Sequence, residues 1–368
     1  MMKLLFDHQI FTLQKYGGIS RYFYELIKEF NHMEGIEPST SLIFSNNHYI
    51  SSKNDVKHIS FFPDSEFRGK QRFMNLFNKT NSVYQISKQS FDIFHPTYYD
   101  PYFLSYIGDK PFVLTVYDMI HERFNDTFST EDKTSEQKRM LVEKASKIIA
   151  ISQSTKRDLI ELFGLEASKI EVVYLGNSMI SNTNQNSNLK IPKKYILFVG
   201  SRGGYKNFDK FIKSISKLLN EDRELSIVCA GGGKFKTSEN EMFITLDINH
   251  QVHQFDLDDS KLQLLYNNAL MFVFPSLYEG FGIPILESFA CECPLVCSNT
   301  SSLPEIAGDG AKYFDPNDEE SIFSAVSEVL YNKNLRDDLV ERGRKRLKHF
   351  SWKKTALETK KIYESILQ

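Results

Sequence analysis

Short apolar runs of strand length recur along this chain, each followed by a longer stretch in which apolar residues return every three or four positions. That alternation admits few folds besides a parallel sheet with crossover helices. The first series of candidate strands is 3–6, 41–44, 93–95, 112–116, 147–150 and 171–174. Residues 177–190, rich in Asn and Ser and poor in large apolar groups, interrupt it and read as a linker. A second series follows at 195–199, 225–230, 242–245, 271–275, 294–298 and 311–314. A chain of 368 residues is longer than one core usually serves. The expectation is therefore an α/β protein of two Rossmann-like, doubly wound domains, 1–178 and 191–350, with ligand sites outside the carboxyl ends of the strands. Residues 351–368 read as a further helix that packs back onto the first domain, with Trp352, Ala356, Leu357, Ile362, Tyr363 and Ile366 available for burial.

Charge and cysteine usage narrow the partners. A formal net charge of −2 gives no basic field for nucleic acid. Cys229, Cys291, Cys293 and Cys297 show neither paired zinc spacing nor a disulfide framework, and read as buried thiols of a reducing compartment. The start, Met1 to Asp7, turns polar too early for a secretory segment, and no apolar run approaches the roughly 20 residues of a spanning helix. These features predict a soluble cytoplasmic protein.

Three loops carry candidate chemistry. After the first strand, Tyr16-Gly17-Gly18-Ile19 opens a helix. Glycines there let helix-start amides approach an anion, although a plain tight turn explains the pair equally well. After strand 195–199, Gly200-Ser201-Arg202-Gly203-Gly204-Tyr205-Lys206 sets two cations around a glycine-rich turn, as a diphosphate would need. After strand 271–275, Glu279-Gly280-Phe281-Gly282-Ile283-Pro284-Ile285-Leu286-Glu287 puts one carboxylate before a helix and one inside it. Gly280 and Gly282 expose amides to phosphate, while Glu287 can accept both hydroxyls of a ribose. The bland reading of those acids is favourable placement against a helix dipole.

These motifs, together with Leu303-Pro304-Glu305, resemble those of the family-4 retaining glycosyltransferases of the GT-B fold, and the resemblance covers nearly the whole chain. It implies two domains facing across a cleft, the first binding acceptor and the second donor. It implies that Arg202 and Lys206 hold the donor diphosphate, Glu287 its ribose and Glu279 the transferred sugar, with Gly17 and Gly18 closing over the diphosphate. Gly282, Ile283 and Pro284 would line the sugar and phosphate side. Such enzymes use no metal and no cofactor beyond the nucleotide-sugar substrate. Asp256-Leu257-Asp258 resembles the manganese motif of the other major glycosyltransferase fold, but Asp258-Asp259-Ser260 precedes a helical pattern and reads as a cap.

On the acceptor side, relatives commonly carry a histidine where this chain has Tyr117. That leaves Asp118 to hold a sugar or acceptor hydroxyl, or merely to cap a turn. His121 stands one helical turn on as a substitute, and His95 is either a cleft-facing acceptor contact or a satisfied core histidine. Glu292 occupies a place where relatives usually have glycine, so a positive φ there would cost roughly 1 kcal/mol or more. Residues 61–77 interleave Arg68, Lys70 and Arg72 with Phe61, Phe62, Phe67, Phe73 and Phe77. They read either as a peripheral contact with an anionic membrane or as buried aromatics beneath solvated charges.

The function expected is transfer of a hexose, GDP-mannose slightly ahead of UDP-hexoses as donor, to a glycan or lipid-linked saccharide in bacterial surface-polysaccharide (O-antigen) assembly at the inner face of the membrane. The rivals are a nucleotide-sugar epimerase of similar fold and an inactive nucleotide-sugar binding protein.

Overall fold

The computed structural model describes residues 1–51, 55–179, 190–256 and 259–368. The chain divides into two compact units, Met1–Gly176 with Ser351–Gln368, and Asn177–Phe350. Most of the linker reading at 177–190, and Leu257-Asp258 of the acidic motif, lie outside the described residues.

In the first unit the strands are β1 (Met2–Phe6), β2 (Ile36–Thr40), β3 (Ile93–His95), β4 (Val113–Val116), β5 (Lys147–Ala150) and β6 (Ile170–Val172). They form parallel ladders in the orders β2-β1-β3 and β4-β5-β6. A parallel bridge between Phe94 and Phe112 joins the two, with Phe94 N–H donating to the Pro111 carbonyl at 3.1 Å. The combined order reverses between β1 and β3, which is where a doubly wound sheet opens a crevice.

The second unit holds β7 (Tyr195–Val199), β8 (Ser226–Ala230), β9 (Val252–Phe255), β10 (Met271–Phe274), β11 (Leu295–Ser298) and β12 (Ala311–Phe314). Its single parallel sheet runs β12-β11-β10-β7-β8-β9. The order turns around between β7 and β10, so the loops leaving those two strands border the crevice of this unit. Phe198, Phe208, Phe211 and Phe243 fill the core beside it.

Two expected strands are corrected. Segment 41–44 is not a strand; β2 precedes it, and the Asn78 side chain serves its backbone instead. Asn78 Oδ1 accepts from the amides of Ile43 and Phe44, and Nδ2 donates to the Phe44 carbonyl. Segment 242–245 is the last turn of the helix Thr237–Thr245, whose one-turn-apart residues Glu239 and Phe243 are buried.

The final helix, Trp352–Leu367, packs within the first unit. Thr355 Oγ1 donates to the Tyr174 carbonyl at 2.7 Å, and the Tyr363 hydroxyl meets His95 Nδ1 at 2.6 Å. Its buried residues are Trp352, Thr355, Ala356, Thr359, Ile362 and Tyr363, whereas Leu357 is exposed. Gly176 sits hard against the start of this helix: a Cβ there would meet the Trp352 amide nitrogen at 2.3 Å, a backbone atom that cannot swing aside.

Candidate donor and acceptor sites

At the crevice of the second unit, β7 leads through a 3-10 turn, Gly204–Lys206, into the helix Phe208–Glu221. Asn207 starts that helix in the left-handed region, φ 59°, and its side chain is spent on the Pro316 carbonyl rather than on a cap. After β10 the chain passes through Glu279 to Gly282 into the helix Ile283–Ala290. Gly282, at φ 96°, caps it without a side chain; a Cβ there would be strained and would press on Leu303 Cδ2 at 3.0 Å. The two loops are tied together, since the Leu277 amide donates to the Tyr205 carbonyl at 2.7 Å. Ser302 Oγ donates to the carbonyls of Glu279 and Phe281, and Ser301 Oγ accepts from the Glu279 amide.

This scaffold brings Lys206 and Glu279 into an ion pair, Nζ to Oε1 at 2.6 Å, with both side chains largely buried. Lys206 Nζ also lies 5.6 Å from the centre of the Phe274 ring. Glu287 is 6% exposed, and its Oε2 accepts from the Tyr266 hydroxyl at 3.3 Å. Burial, then the charge of Glu287, drives the Tyr266 hydroxyl well above its ordinary pKa, so it stays a donor to that carboxylate. Phe281 is buried with its ring 6.0 Å from Phe350, so it supports the loop from behind. Ile283 and Pro284 are half-buried.

Arg202, expected beside Lys206 on the diphosphate, is engaged within its own unit. Its guanidinium is turned into the fold: Nε donates to Glu239 Oε1 at 2.7 Å, Nη1 to the Gly231 carbonyl at 3.0 Å, and Nη2 to the carbonyls of Gly233 and Lys234 at 2.9 and 3.1 Å. A fork so occupied organises the turn after β8. Burial would raise the Glu239 carboxyl, but Arg202 and the Lys236 amide outweigh it and hold its pKa below the usual range. Sequence reasoning missed Glu239, because an acid 37 residues from its partner carries no local signal. It missed Ser301, Ser302 and Tyr266 for the same reason.

In the first unit Gly17 precedes the helix Gly18–Asn31 at φ 164°, extended backbone open to any residue. The Gln14 Oε1 atom accepts from the Ser20 amide in the first turn of that helix. Asp118 Oδ1 accepts from the Ile120 amide at 3.1 Å, the turn-capping geometry. Tyr117 is buried, and its hydroxyl donates to the Thr97 carbonyl at 3.2 Å. His121 stacks on Phe128 at 4.1 Å, with Nε2 at 3.6 Å from Asp132 Oδ2.

Of the two readings of His95, the structure has the core histidine. It is fully buried, with Nδ1 against the Tyr363 hydroxyl and Nε2 against Thr115 Oγ1 at 2.9 Å. Burial lowers its pKa from 6.5 to about 3. Because the unfolded chain protonates first, the stability that neutral His95 contributes is full above about pH 6.5 and is lost as pH falls toward 3. About 2 kcal/mol should be missing at pH 5 relative to pH 7.5. Denaturant midpoints across that range check it, and a His95→Gln variant should flatten the slope.

Glu292 lies at φ 54°, so the left-handed conformation expected of a glycine is present with a side chain on it. Its Oε1 pairs with Arg344 Nη2 at 2.8 Å on the surface. An exposed pair of this kind offsets little. Glu292→Gly should therefore leave stability unchanged or raise it by up to about 1 kcal/mol, read as a melting shift.

Residues 16–177 match the model described as Glycosyltransferase Family 4, and residues 180–346 the model described as Glycosyl transferases group 1. The chain belongs to this glycosyltransferase family, and its fold is of the GT-B class. Among curated relatives it is similar to O-antigen chain mannosyltransferase B of Escherichia coli, 28% identical over 61% of each chain. It is also similar to O-antigen chain mannosyltransferase RfbU of Salmonella typhimurium, 29% identical over 59% of this chain and 60% of that one. The match thus spans about three fifths of the length of these relatives. Among solved structures, Anabaena HepE in complex with UDP and glucose superposes with a TM-score of 0.75 at 15% identity, covering 99% of this chain and 100% of that one.

Proposed function

We propose that this protein transfers a hexose, mannose ahead of others, from a nucleotide diphosphate donor to a saccharide or lipid-linked saccharide in surface-polysaccharide assembly. In this reading it works in the cytoplasm at the membrane's inner face, with retention at the anomeric carbon and without a metal. The observation that carries it is the Lys206–Glu279 pair set between the loops that leave β7 and β10, each of which runs into a helix start. Helix-start amides and one lysine suit a diphosphate. Mannose rests on the likeness to the two O-antigen mannosyltransferases.

Without donor, Glu279 neutralises Lys206. An arriving diphosphate competes for the ammonium, and the displaced carboxylate is left to orient hydroxyls of the transferred sugar. Glu287, held by Tyr266, accepts from the ribose. The bond from anomeric carbon to diphosphate oxygen then breaks, its electrons passing to the leaving phosphate beside Lys206. The acceptor oxygen forms the new bond on the same face, and its proton passes to that phosphate. Stabilising the charge that develops on the leaving group is the largest contribution.

The configuration of the product bond, read by proton NMR, tests this. Retention of the donor's α configuration in the presence of EDTA is expected. An inverted product, or loss of activity restored by a divalent cation, contradicts it. Interconversion of the donor sugar without nucleotide release would favour the epimerase reading.

A further inference from the structure

Lys138 is fully buried, yet nothing in the donor chemistry uses it. It reaches inward from the helix Thr134–Lys144 to the turn that leaves β4. Its Nζ donates to Glu122 Oε2 at 2.8 Å and to the Asp118 carbonyl at 2.9 Å, and lies 5.4 Å from the centre of the Tyr99 ring. The Glu122 side chain is only 6% exposed. Taking two charges out of water offsets much of their attraction, so an apolar pair of like volume would hold this core as well. What the ion pair adds is geometry. Lys138 grips the turn at Asp118 and at Glu122, and just before it the Tyr99 hydroxyl accepts from the Tyr117 amide at 3.2 Å. Both ends of the turn are fixed.

The turn so fixed carries polar atoms that the fold does not use. Glu122 Oε1 and His121 Nδ1 are buried with no hydrogen-bond partner among the described residues. Native folds pair nearly all such atoms, so two orphans on adjacent residues, past the carboxyl end of a parallel strand, point to a ligand. The imidazole is already oriented, stacked on Phe128 with Nε2 at 3.6 Å from Asp132 Oδ2.

Charge sets the class of that ligand. Asp118, Glu122 and Asp132 place three carboxylates about the single ammonium of Lys138. Burial, then the charges of Asp118 and Asp132, raise the pKa of the neighbouring Tyr98 hydroxyl and keep it neutral. A phosphate would be repelled by this surplus of negative charge, whereas carboxylate oxygens and an imidazole accept readily from hydroxyl groups. We propose, on the transferase reading above, that Lys138 is a positioning residue: it holds the turn 118–122 so that Asp118, His121 and Glu122 receive the hydroxyls of a neutral sugar residue of the acceptor, and not a phosphate.

Steady-state transfer from saturating GDP-mannose or UDP-glucose to a panel of neutral methyl glycosides, and to mannose 1-phosphate, tests it. The wild type should use at least one methyl glycoside, with a KM about tenfold or more below that for mannose 1-phosphate. Lys138→Met with Glu122→Gln removes both buried charges at nearly constant volume, so this chain should melt near the wild type. Its KM for the glycoside should rise about tenfold or more, with kcat within about threefold and nucleotide affinity by calorimetry unchanged. Lys138→Met alone strands the Glu122 carboxylate and should melt lower. If the double variant does not fold, Glu122→Asp, which keeps the charge but shortens its reach, should give the same split between KM and kcat. An unchanged glycoside KM in a folded variant, an equal loss of nucleotide affinity, use of mannose 1-phosphate as readily as the glycosides, or use of no neutral glycoside would overturn the inference while leaving the donor site standing. Failure of the wild type to bind any nucleotide diphosphate would remove the transferase reading itself.

Discussion

Lys206→Ala is expected to lose roughly 10²- to 10³-fold in turnover, the usual cost of removing one donor from a charge-stabilising site. The side chain sits at the crevice, paired with the Glu279 carboxylate and near the rings of Tyr205 and Phe274. Its removal also strips Glu279, only 11% exposed, of its counter-ion, so some loss of stability accompanies the loss of turnover. Lys206→Arg should recover only part of the rate, because the planar fork cannot sit where the ammonium does. Turnover against donor concentration, beside a melting curve, separates the two effects. A variant that transfers at the wild-type rate would remove Lys206 from the donor site.

The opposite pattern is expected at Arg202, four residues earlier. Arg202→Ala leaves Glu239 buried without its charge partner and frees the carbonyls of Gly231, Gly233 and Lys234 from their common donor. Breaking one side of a buried pair costs about 3–5 kcal/mol, so this variant should unfold at markedly lower denaturant. Removing Glu239 as well should recover part of the loss, because no uncompensated carboxylate then remains. Full-length chain that keeps its midpoint but loses nucleotide affinity after Arg202→Ala would instead restore the diphosphate role suggested by the resemblance.

The contrast between these two residues shows how far sequence carries. Arg202 and Lys206 sit four apart in one loop and look alike as cations beside glycines. What sets them apart is a partner, Glu239, that reaches Arg202 from the first turn of the helix Thr237–Thr245. Inner strands were legible for the converse reason. Ile196 to Phe198, Phe272 to Phe274 and Leu295 to Cys297 are buried on both faces and read as unbroken apolar runs.

Edge strands were not legible. β2 contains Glu37 and Pro38, the latter paired with Leu4, and a proline is tolerated there because only one side of the strand is bonded. β9, at the other sheet's edge, reads Val-His-Gln-Phe and carries no apolar run. In both places an apolar neighbour drew the strand assignment away. The carboxylates of the donor loop were legible because Glu279 and Glu287 lie in an apolar stretch. Their supports, Ser301, Ser302 and Tyr266, come from other segments and were not.

The proposed function requires that a nucleotide diphosphate sugar bind the second unit where its sheet order reverses, with Lys206 and Glu287 on the ligand. The measurement that bears on it most directly is calorimetric titration of the wild type, Lys206→Ala and Glu287→Gln with GDP-mannose, UDP-glucose, GDP and free GMP. Binding of at least one diphosphate by the wild type, weakened tenfold or more in both variants and largely lost for the monophosphate, is the predicted result. Wild-type affinity in both variants, or no binding of any diphosphate, would contradict it.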